Sequence, residues 1–209
     1  MARRTKTRTE TAEESVPKSA RTRARLLDAT AKVLAERGYA GTRLSDIAEE
    51  AHVQAPAIYY YYAHREELVG AVLTAGAEAM VGYLTERLAA LPADSSPSVR
   101  LATAVEAHLR HELELSDYAR AFIRNTNQVP PDISRPALDV LTAYFDVWRG
   151  LVADLAQAGL LRDDVDPSLG RMLVMGALNW CAEWWDPDRG PIDDLIVVAQ
   201  SMVLHALRP

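Results

Sequence analysis

Residues 52–68 read HVQAPAIYYYYAHREEL, in which four consecutive tyrosines, Tyr59 to Tyr62, stand between an alanine-rich turn and a His-Arg-Glu-Glu run. A phenol combines an apolar ring with a tip that donates and accepts hydrogen bonds. Successive helix residues point in different directions, so one buried face has no use for four in a row. The run predicts a division of labour. Ala57, Ile58 and Tyr61 or Tyr62 turn inward, and the hydroxyls of Tyr59 and Tyr60 turn toward phosphates or base edges.

A second constellation lies in HLRHELE, where His108 and His111 are three residues apart on a helix beside Glu112 and Glu114. That spacing can hold a metal ion, but the order is not HExxH and no third ligand is evident. The chain has no Gly-rich phosphate loop, nucleophile elbow or cysteine–histidine pair. No metal, no cofactor and no catalytic residue is expected, and the chain reads as a binding protein rather than an enzyme.

Composition limits the rest. With 209 residues, 49% hydrophobic and 25% charged, the chain is ordinary for one or two domains with a sizeable core. Cys181 is its single cysteine, which excludes an intramolecular disulfide and a cysteine-based zinc site and fits a cytoplasmic protein. The N-terminal MARRTKTRTETAEESVPKSA is basic with no apolar stretch after it, so neither secretion nor membrane insertion is expected. Charge is unevenly spread. Residues 1–45 hold eleven Lys/Arg against five acids, a balance of +6; since the whole chain carries −6, the other 164 residues carry −12. A basic end on an acidic body points to a polyanionic partner, with a solvated flexible tail as the plainer reading of residues 1–18.

The elements that would position these groups read as helices, with no strand. Leu26, Leu27, Thr30, Val33, Leu34 and Arg37 recur at helical intervals from residue 19 or 20, and Gly38 follows as a stop. Thr42 offers an N-cap for LSDIAEEA, whose Leu44, Ile47, Ala48 and Ala51 share one face. After His52 and Val53, a third short helix opens at Gln54 or Ala55 with Pro56 in its first turn. Residues 42–60 thus have the form of a helix-turn-helix, with His52 where the turn usually takes Gly; His tolerates positive φ. Six further helices are expected over 64–90, 99–115, 117–125, a span through Trp148 to residue 158 after the Pro-rich NQVPPDISRP break, 168–185 and 192–207. The expectation is an all-α, nine-helix protein of two domains: a flexible basic arm (1–18), a helix-turn-helix domain (19–63) and a helical-bundle domain for effector binding and dimerisation (64–209).

The stretch TRLSDIAEEAHVQAPAIYYYYAHREEL resembles the DNA-binding domain of TetR-family transcriptional regulators. The shared pattern is a Thr before the second helix, an Asp-Ile-Ala core, a Val closing the turn, an aromatic pair in the recognition helix and a His-Arg-Glu-Glu-Leu opening of the fourth helix. The match runs over residues 21–73. Its departures, His52, Gln54 and Pro56, bear on base preference. By this resemblance Thr42 and Arg43 would meet a phosphate at the start of the second helix. Gln54, Ala55, Pro56, Ala57, Tyr59 and Tyr60 would line the recognition face, and His64 with Arg65 would hold phosphate at the start of the fourth. The chemistry agrees: Arg supplies charge, Gln can pair bidentately with adenine, and alanines can touch a thymine methyl. For His64 the alternative is an N-cap that closes with Glu67.

Beyond residue 65 two features stand out. Leu169, Leu173, Gly176, Ala177 and Trp180 form one apolar stripe and Leu195, Val198, Ala199, Met202 and Ala206 another. They are expected to build a homodimer interface, as reading a palindromic double-stranded operator requires; packing within one chain is the alternative. Large side chains are also concentrated here. Tyr118, Phe122, Asn125, Tyr144, Trp148, Met175, Asn179 and Trp180 are candidates for an effector cavity, against the plainer reading as core. MLVMGALNWCAEWW with QVPPDISRP is similar to a TetR subgroup linked to lipid or steroid catabolism, in which acyl-CoA thioesters are effectors. That resemblance implies a small, elongated apolar effector, an acyl-CoA among the candidates, with Arg120, Arg124 or Arg149 for an acidic head group. The expected function is a ligand-responsive repressor that releases a palindromic operator when its effector binds. An effector-independent DNA-binding adaptor or nucleoid protein is the alternative.

Overall fold

Helix punctuation in the sequence becomes nine α-helices in the computed structural model, which describes residues 17–125 and 127–208. They are α1 (Lys18–Gly41), α2 (Leu44–Glu50), α3 (Ala55–Ile58), α4 (Arg65–Ala89), α5 (Pro97–Arg110), α6 (Asp117–Asn125), α7 (Pro131–Gln157), α8 (Pro167–Trp184) and α9 (Ile192–Leu207). No strand occurs among the described residues. Proline stands in the first turn of α3, α5, α7 and α8, where its missing N–H has no intrahelical partner to lose. Side chains close two of these starts: Ser96 accepts from Val99 N, and Asp166 accepts from the N–H groups of Ser168 and Leu169.

Two local expectations are corrected. The expected stop at Gly38 is a break in the helical backbone (φ 69°, ψ 172°), a conformation that glycine alone adopts cheaply, and a short further turn carries α1 to Gly41. The helix expected over 99–115 is α5 followed by a π-helical turn, His111–Leu115, because one extra residue is inserted into the helical register. The Pro-rich break is shorter than its composition implies. α7 begins at Pro131 and carries Pro136 inside it at the loss of a single backbone hydrogen bond.

Two cores hold the fold. In the smaller, Leu26, Ala29 and Val33 of α1 meet Ile47, Ala48, Ala51, Ile58, Tyr62 and Leu68. The other side of α1 (Ala31, Leu34, Ala35) enters the larger core with α4 to α9. Leu68 of α4 lies in the first and Val69 to Leu88 in the second, so α1 and α4 each serve both. α4 has the length and mean hydropathy (1.4) of a membrane span, and the cores account for that: Leu68, Val69, Val72, Leu73 and Ala77 are all fully buried. Gly76 lets α6 approach, since a Cβ there would stand 2.8 Å from the Tyr118 carbonyl oxygen.

α6 is fastened to α1. The buried Asn125 carboxamide accepts from Tyr39 N (2.7 Å) and donates to the carbonyls of Leu34 (3.1 Å) and Ala121 (2.7 Å). Arg124 donates to the Ala35 carbonyl at 3.1 Å and the Tyr118 hydroxyl to Asp28 at 2.8 Å.

The π turn buries His111, whose ring stacks on Tyr83 at 5.6 Å. Burial, and then the neighbouring His108, lower its pKa from 6.5 to about 4. A depressed histidine pKa means that, as pH falls below the unfolded value, the unfolded chain takes up a proton that the folded chain refuses. Stability present at neutral pH is therefore lost between 6.5 and about 4, by at most about 3 kcal/mol. The thermal midpoint should drop as pH goes from about 7 to about 4.5, and less steeply in His111→Phe. Parallel profiles for the two proteins would show that other groups set the acid limit.

Candidate nucleic-acid interface and effector cavity

The helix-turn-helix is built around a reversal at His52, whose φ of 52° is the one positive value of a non-glycine among the described residues. Val53 N donates back to the Ala48 carbonyl at 2.9 Å. Arg25 of α1 reaches across to donate to the carbonyls of Ala51 and His52, at the C-terminal end of α2 where positive charge is favoured. Lys32–Glu50 (2.8 Å) and Arg37–Asp46 (2.7 Å) pair α1 with α2 on the outside and add little each.

α3 is a single turn, and Tyr61 N and Tyr62 N continue it by both donating to the Ile58 carbonyl. Ile58 and Tyr62 are buried in the small core and Tyr61 is half-buried. On the opposite side Tyr59 is 60% exposed and Tyr60 83%, with Gln54 and Pro56 exposed beside them and Ala55 and Ala57 half-buried. Two adjacent phenol rings standing in water form an apolar, hydrogen-bonding patch that a partner is needed to cover.

Two expected phosphate ligands are placed elsewhere. Thr42 is buried and its hydroxyl donates to the Gly38 carbonyl (2.8 Å), closing α1; the residue before α2 is Arg43, which is exposed and makes no side-chain cap. Arg65 donates to the carbonyls of Tyr39 (3.2 Å) and Thr42 (3.0 Å), pairs with Glu66 (3.1 Å) and lies over the Tyr39 ring at 4.4 Å. It bolts α4 to the α1–α2 link, and the two carbonyls that claim it are more than twenty residues away in sequence. His64 is the N-cap: its Nδ1 accepts from Glu67 N (3.2 Å), while Glu67 accepts from Ala63 N (2.7 Å). With Glu66 and Glu67 in that first turn, a phosphate would meet carboxylates there. Residues 1–16 of the expected arm lie outside the described residues, and Lys18 already belongs to α1.

In the larger domain a cavity of about 280 Å³ opens between α4, α5, α6, α7 and α8, lined by Met80, His108, Phe122, Ile123, Asn127, Leu138, Leu141, Tyr144, Phe145, Met175 and Asn179. Phe122, Tyr144, Met175 and Asn179 were expected there. Four other candidates are elsewhere: Asn125 and Tyr118 turn to α1, Trp148 is buried behind His108 and Tyr144, and Trp180 is 65% exposed on the outer face of α8. Met80, His108 and Leu141 escaped because a cavity-lining residue has the same helical period as a core residue. The proposed head-group arginines are also engaged: Arg120 with Asp117, Arg149 with Asp146 and Arg124 with α1.

The cavity's polar wall is a buried chain. The Tyr144 hydroxyl lies 2.7 Å from His108 Nδ1, and His108 Nε2 lies 2.8 Å from Glu112 Oε2. Burial first, and the Glu112 charge with it, raise the Tyr144 pKa. His108 and Glu112 thus face each other while His111 turns to Tyr83, and among the described residues no group of three His, Cys, Asp or Glu is placed to hold a metal.

The outer faces of α8 and α9 are apolar and open. Leu169, Met172, Leu173 and Trp180 are exposed on α8, with Gly176 and Ala177 between them, and a Cβ at Gly176 would meet nothing within 4 Å. On α9 Val197, Val198 and Met202 are exposed, whereas Leu195 is corrected to a partly buried residue packed on the core, because the exposed face falls one position around the helix.

Two family models match this chain: that of the bacterial regulatory proteins of the tetR family over residues 26–72, and that of the tetracyclin repressor-like C-terminal domain over residues 94–207. The chain belongs to the TetR family. It is a transcriptional regulator, not an enzyme. Among curated relatives, the fatty acid metabolism regulator protein of Bacillus subtilis (strain 168) is 22% identical over 87% of this chain and 91% of its own length. The HTH-type transcriptional repressor KstR2 of Rhodococcus jostii (strain RHA1) is 24% identical over 94% and 95%. Similar solved folds include AibR in complex with isovaleryl coenzyme A and operator DNA, with a TM-score of 0.76 and 21% identity over 87% of this chain and 96% of that one. FadR from Bacillus subtilis in complex with stearoyl-CoA gives 0.69 and 21% over 87% and 95%.

The two sides of this regulator's helix-turn-helix separate under mutation. Tyr60→Ala should lower affinity for the DNA flanking its gene roughly ten-fold with the thermal midpoint unchanged. Arg65→Ala should instead lose about 2–3 kcal/mol of stability through the bonds to Tyr39 and Thr42. Normal DNA affinity in Tyr60→Ala, or an unaltered midpoint in Arg65→Ala, would reverse these assignments.

Proposed function

We propose that this TetR-family regulator is a dimeric, cytoplasmic repressor that releases a palindromic operator when a small apolar acyl thioester occupies the cavity between α4 and α8. One observation carries the ligand response. α6 supplies Phe122 and Ile123 to the cavity and, within the same two turns, Tyr118, Arg124 and Asn125 to α1. A ligand that moves α6 must strain those bonds or carry α1 and the recognition face along. Only a difference in effector affinity between the two arrangements is then needed to shift the population.

The DNA-reading face proposed is Arg43, Gln54, Ala55, Pro56, Ala57, Tyr59, Tyr60 and the exposed edge of His64. The effector class draws support from AibR and FadR, whose solved complexes hold acyl-CoA, and from a predominantly apolar lining with amides at Asn127 and Asn179. A volume near the lower end of the range for ligand sites favours a short or medium chain.

For the dimer, the open stripes on α8 and α9 offer a surface on which a second copy can pack about a two-fold axis. Reading a palindrome about that axis requires two recognition helices roughly 34–36 Å apart, one turn of DNA, or a multiple of it. Leu173, 76% exposed at the centre of the stripe, is the place to break it. Leu173→Glu should convert the dimer to a monomer in sedimentation and remove preference for a palindrome over a half-site; an unchanged dimer would place the interface elsewhere.

The deciding experiment is binding to the DNA flanking the gene at fixed salt, with and without saturated acyl-CoA thioesters of graded length. Binding tighter than to random DNA, and abolished by one thioester, is the expected result. Specific binding that no thioester alters would remove the effector class. Equal binding to random DNA would favour the adaptor or nucleoid reading.

A further inference from the structure

The regulatory reading leaves open why a cavity lined by Met80, Phe122, Leu141, Phe145 and Met175 keeps an acidic residue directly behind its wall. Glu112 is fully buried, and neither of its carboxylate oxygens receives a well-aligned hydrogen bond. Its one close charge partner among the described residues is His108, itself buried, at 2.8 Å. Arg110, the nearest cation in sequence, is committed to Glu106, Glu114 and Asp193. The π turn that begins at His111 lies in this segment, a distortion often found at functional sites.

An unneutralised charge is strongly disfavoured at such depth. The pair is neutral overall when it holds one proton in addition to the one that imidazole always carries, and this can be arranged in two ways. Either Glu112 is ionised beside a doubly protonated His108, or Glu112 is protonated and donates to Nε2 of a neutral His108. The two states differ at Nε2, yet both place hydrogen on Nδ1. His108 Nδ1–H then donates to the Tyr144 oxygen 2.7 Å away. The Trp148 ring stands edge-on to His108 and tilted against Tyr144 at 6.3 Å, and its indole N–H makes no hydrogen bond of good geometry among the described residues. His108 thus occupies an acceptor position of the phenol oxygen, and the phenol's own hydrogen is left for a further acceptor at the cavity that Tyr144 lines.

We propose that Glu112 and His108 share one proton, and that Tyr144 thereby presents its O–H to the cavity as the donor for a carbonyl oxygen of the effector. The relay makes Tyr144 a specificity-determining residue and Glu112 and His108 positioning residues behind it. It selects for an apolar body interrupted by an acceptor, a thioester or ketone carbonyl, over a plain hydrocarbon chain. The proposal rests on the ligand-responsive reading above and narrows it.

Decanoyl-CoA and its thioether analogue S-decyl-CoA differ only in the carbonyl, so calorimetric titration of the dimer with both measures what the donor contributes. The acyl thioester should bind roughly three- to ten-fold more tightly, and Tyr144→Phe should erase that difference. Equal affinities in the unaltered protein overturn the proposal. If neither compound binds, the acyl-CoA reading fails, and nitrogen-15 spectra of the unaltered protein then decide the relay, with His108 assigned by loss of its signals in His108→Gln. Hydrogen on Nδ1 supports the proposal; an unprotonated Nδ1 accepting from Tyr144 overturns it.

Discussion

The fold depends on one buried carboxamide. Asn125 carries two donors and an acceptor into a place that water does not reach, and each must be satisfied or a penalty of about 1–3 kcal/mol is felt. Tyr39 N and the Leu34 carbonyl supply the partners from α1, at the point where Gly38 bends that helix toward α2. A Cβ on Gly38 would stand 3.6 Å from the Asn125 oxygen, an ordinary contact, so the glycine is required there by its dihedral angle and not by crowding. The bend and the amide together set where the helix-turn-helix hangs from the larger domain.

Around that junction the same economy recurs. Arg25, from the basic N-terminal part, and Arg65 and Arg124, which the family resemblance assigned to phosphate and to a ligand head group, donate to backbone carbonyls at Ala51 and His52, at Tyr39 and Thr42, and at Ala35. Short helices leave such carbonyls without intrahelical partners, and a guanidinium with five donors can serve several at once. What faces outward on the α3 turn itself is uncharged: two phenols, a carboxamide and a proline, with two half-buried alanines between them. Base edges and methyl groups match that chemistry better than phosphate does.

The larger domain shows the reverse arrangement. Its exposed faces on α8 and α9 are apolar, and a polar cluster is buried within its apolar core, with His108, His111 and Glu112 on one stretch of α5 and the π turn. An acid and two histidines of alternating helical spacing look like a metal site when only spacing is visible. In three dimensions the π turn separates them: His108 and Glu112 pair, while His111 stacks against Tyr83. The cavity borders the paired half.

Helical period, caps and prolines determined the nine-helix order from the sequence alone, because those signals are local and each acts within about four residues. The inward turn of Ile58 and Tyr62 and the cap of His64 with Glu67 were legible for the same reason. The sequence also carried the helix-turn-helix pattern, since turn geometry at His52 is fixed by neighbouring residues. Which long side chains are free was decided only by the tertiary structure. Thr42, Arg65, Tyr118 and Asn125 look identical in sequence whether they meet a ligand or an acceptor elsewhere in the chain. Leu195 likewise gave way to Val197 two positions on, because a helix packed at an angle shifts its buried face by that much, and Trp180, expected both on the outer stripe and in the cavity, stands on the outer face. A hydrogen bond between residues about ninety positions apart has no local signature, and the coupling of α6 to α1 is made of such bonds.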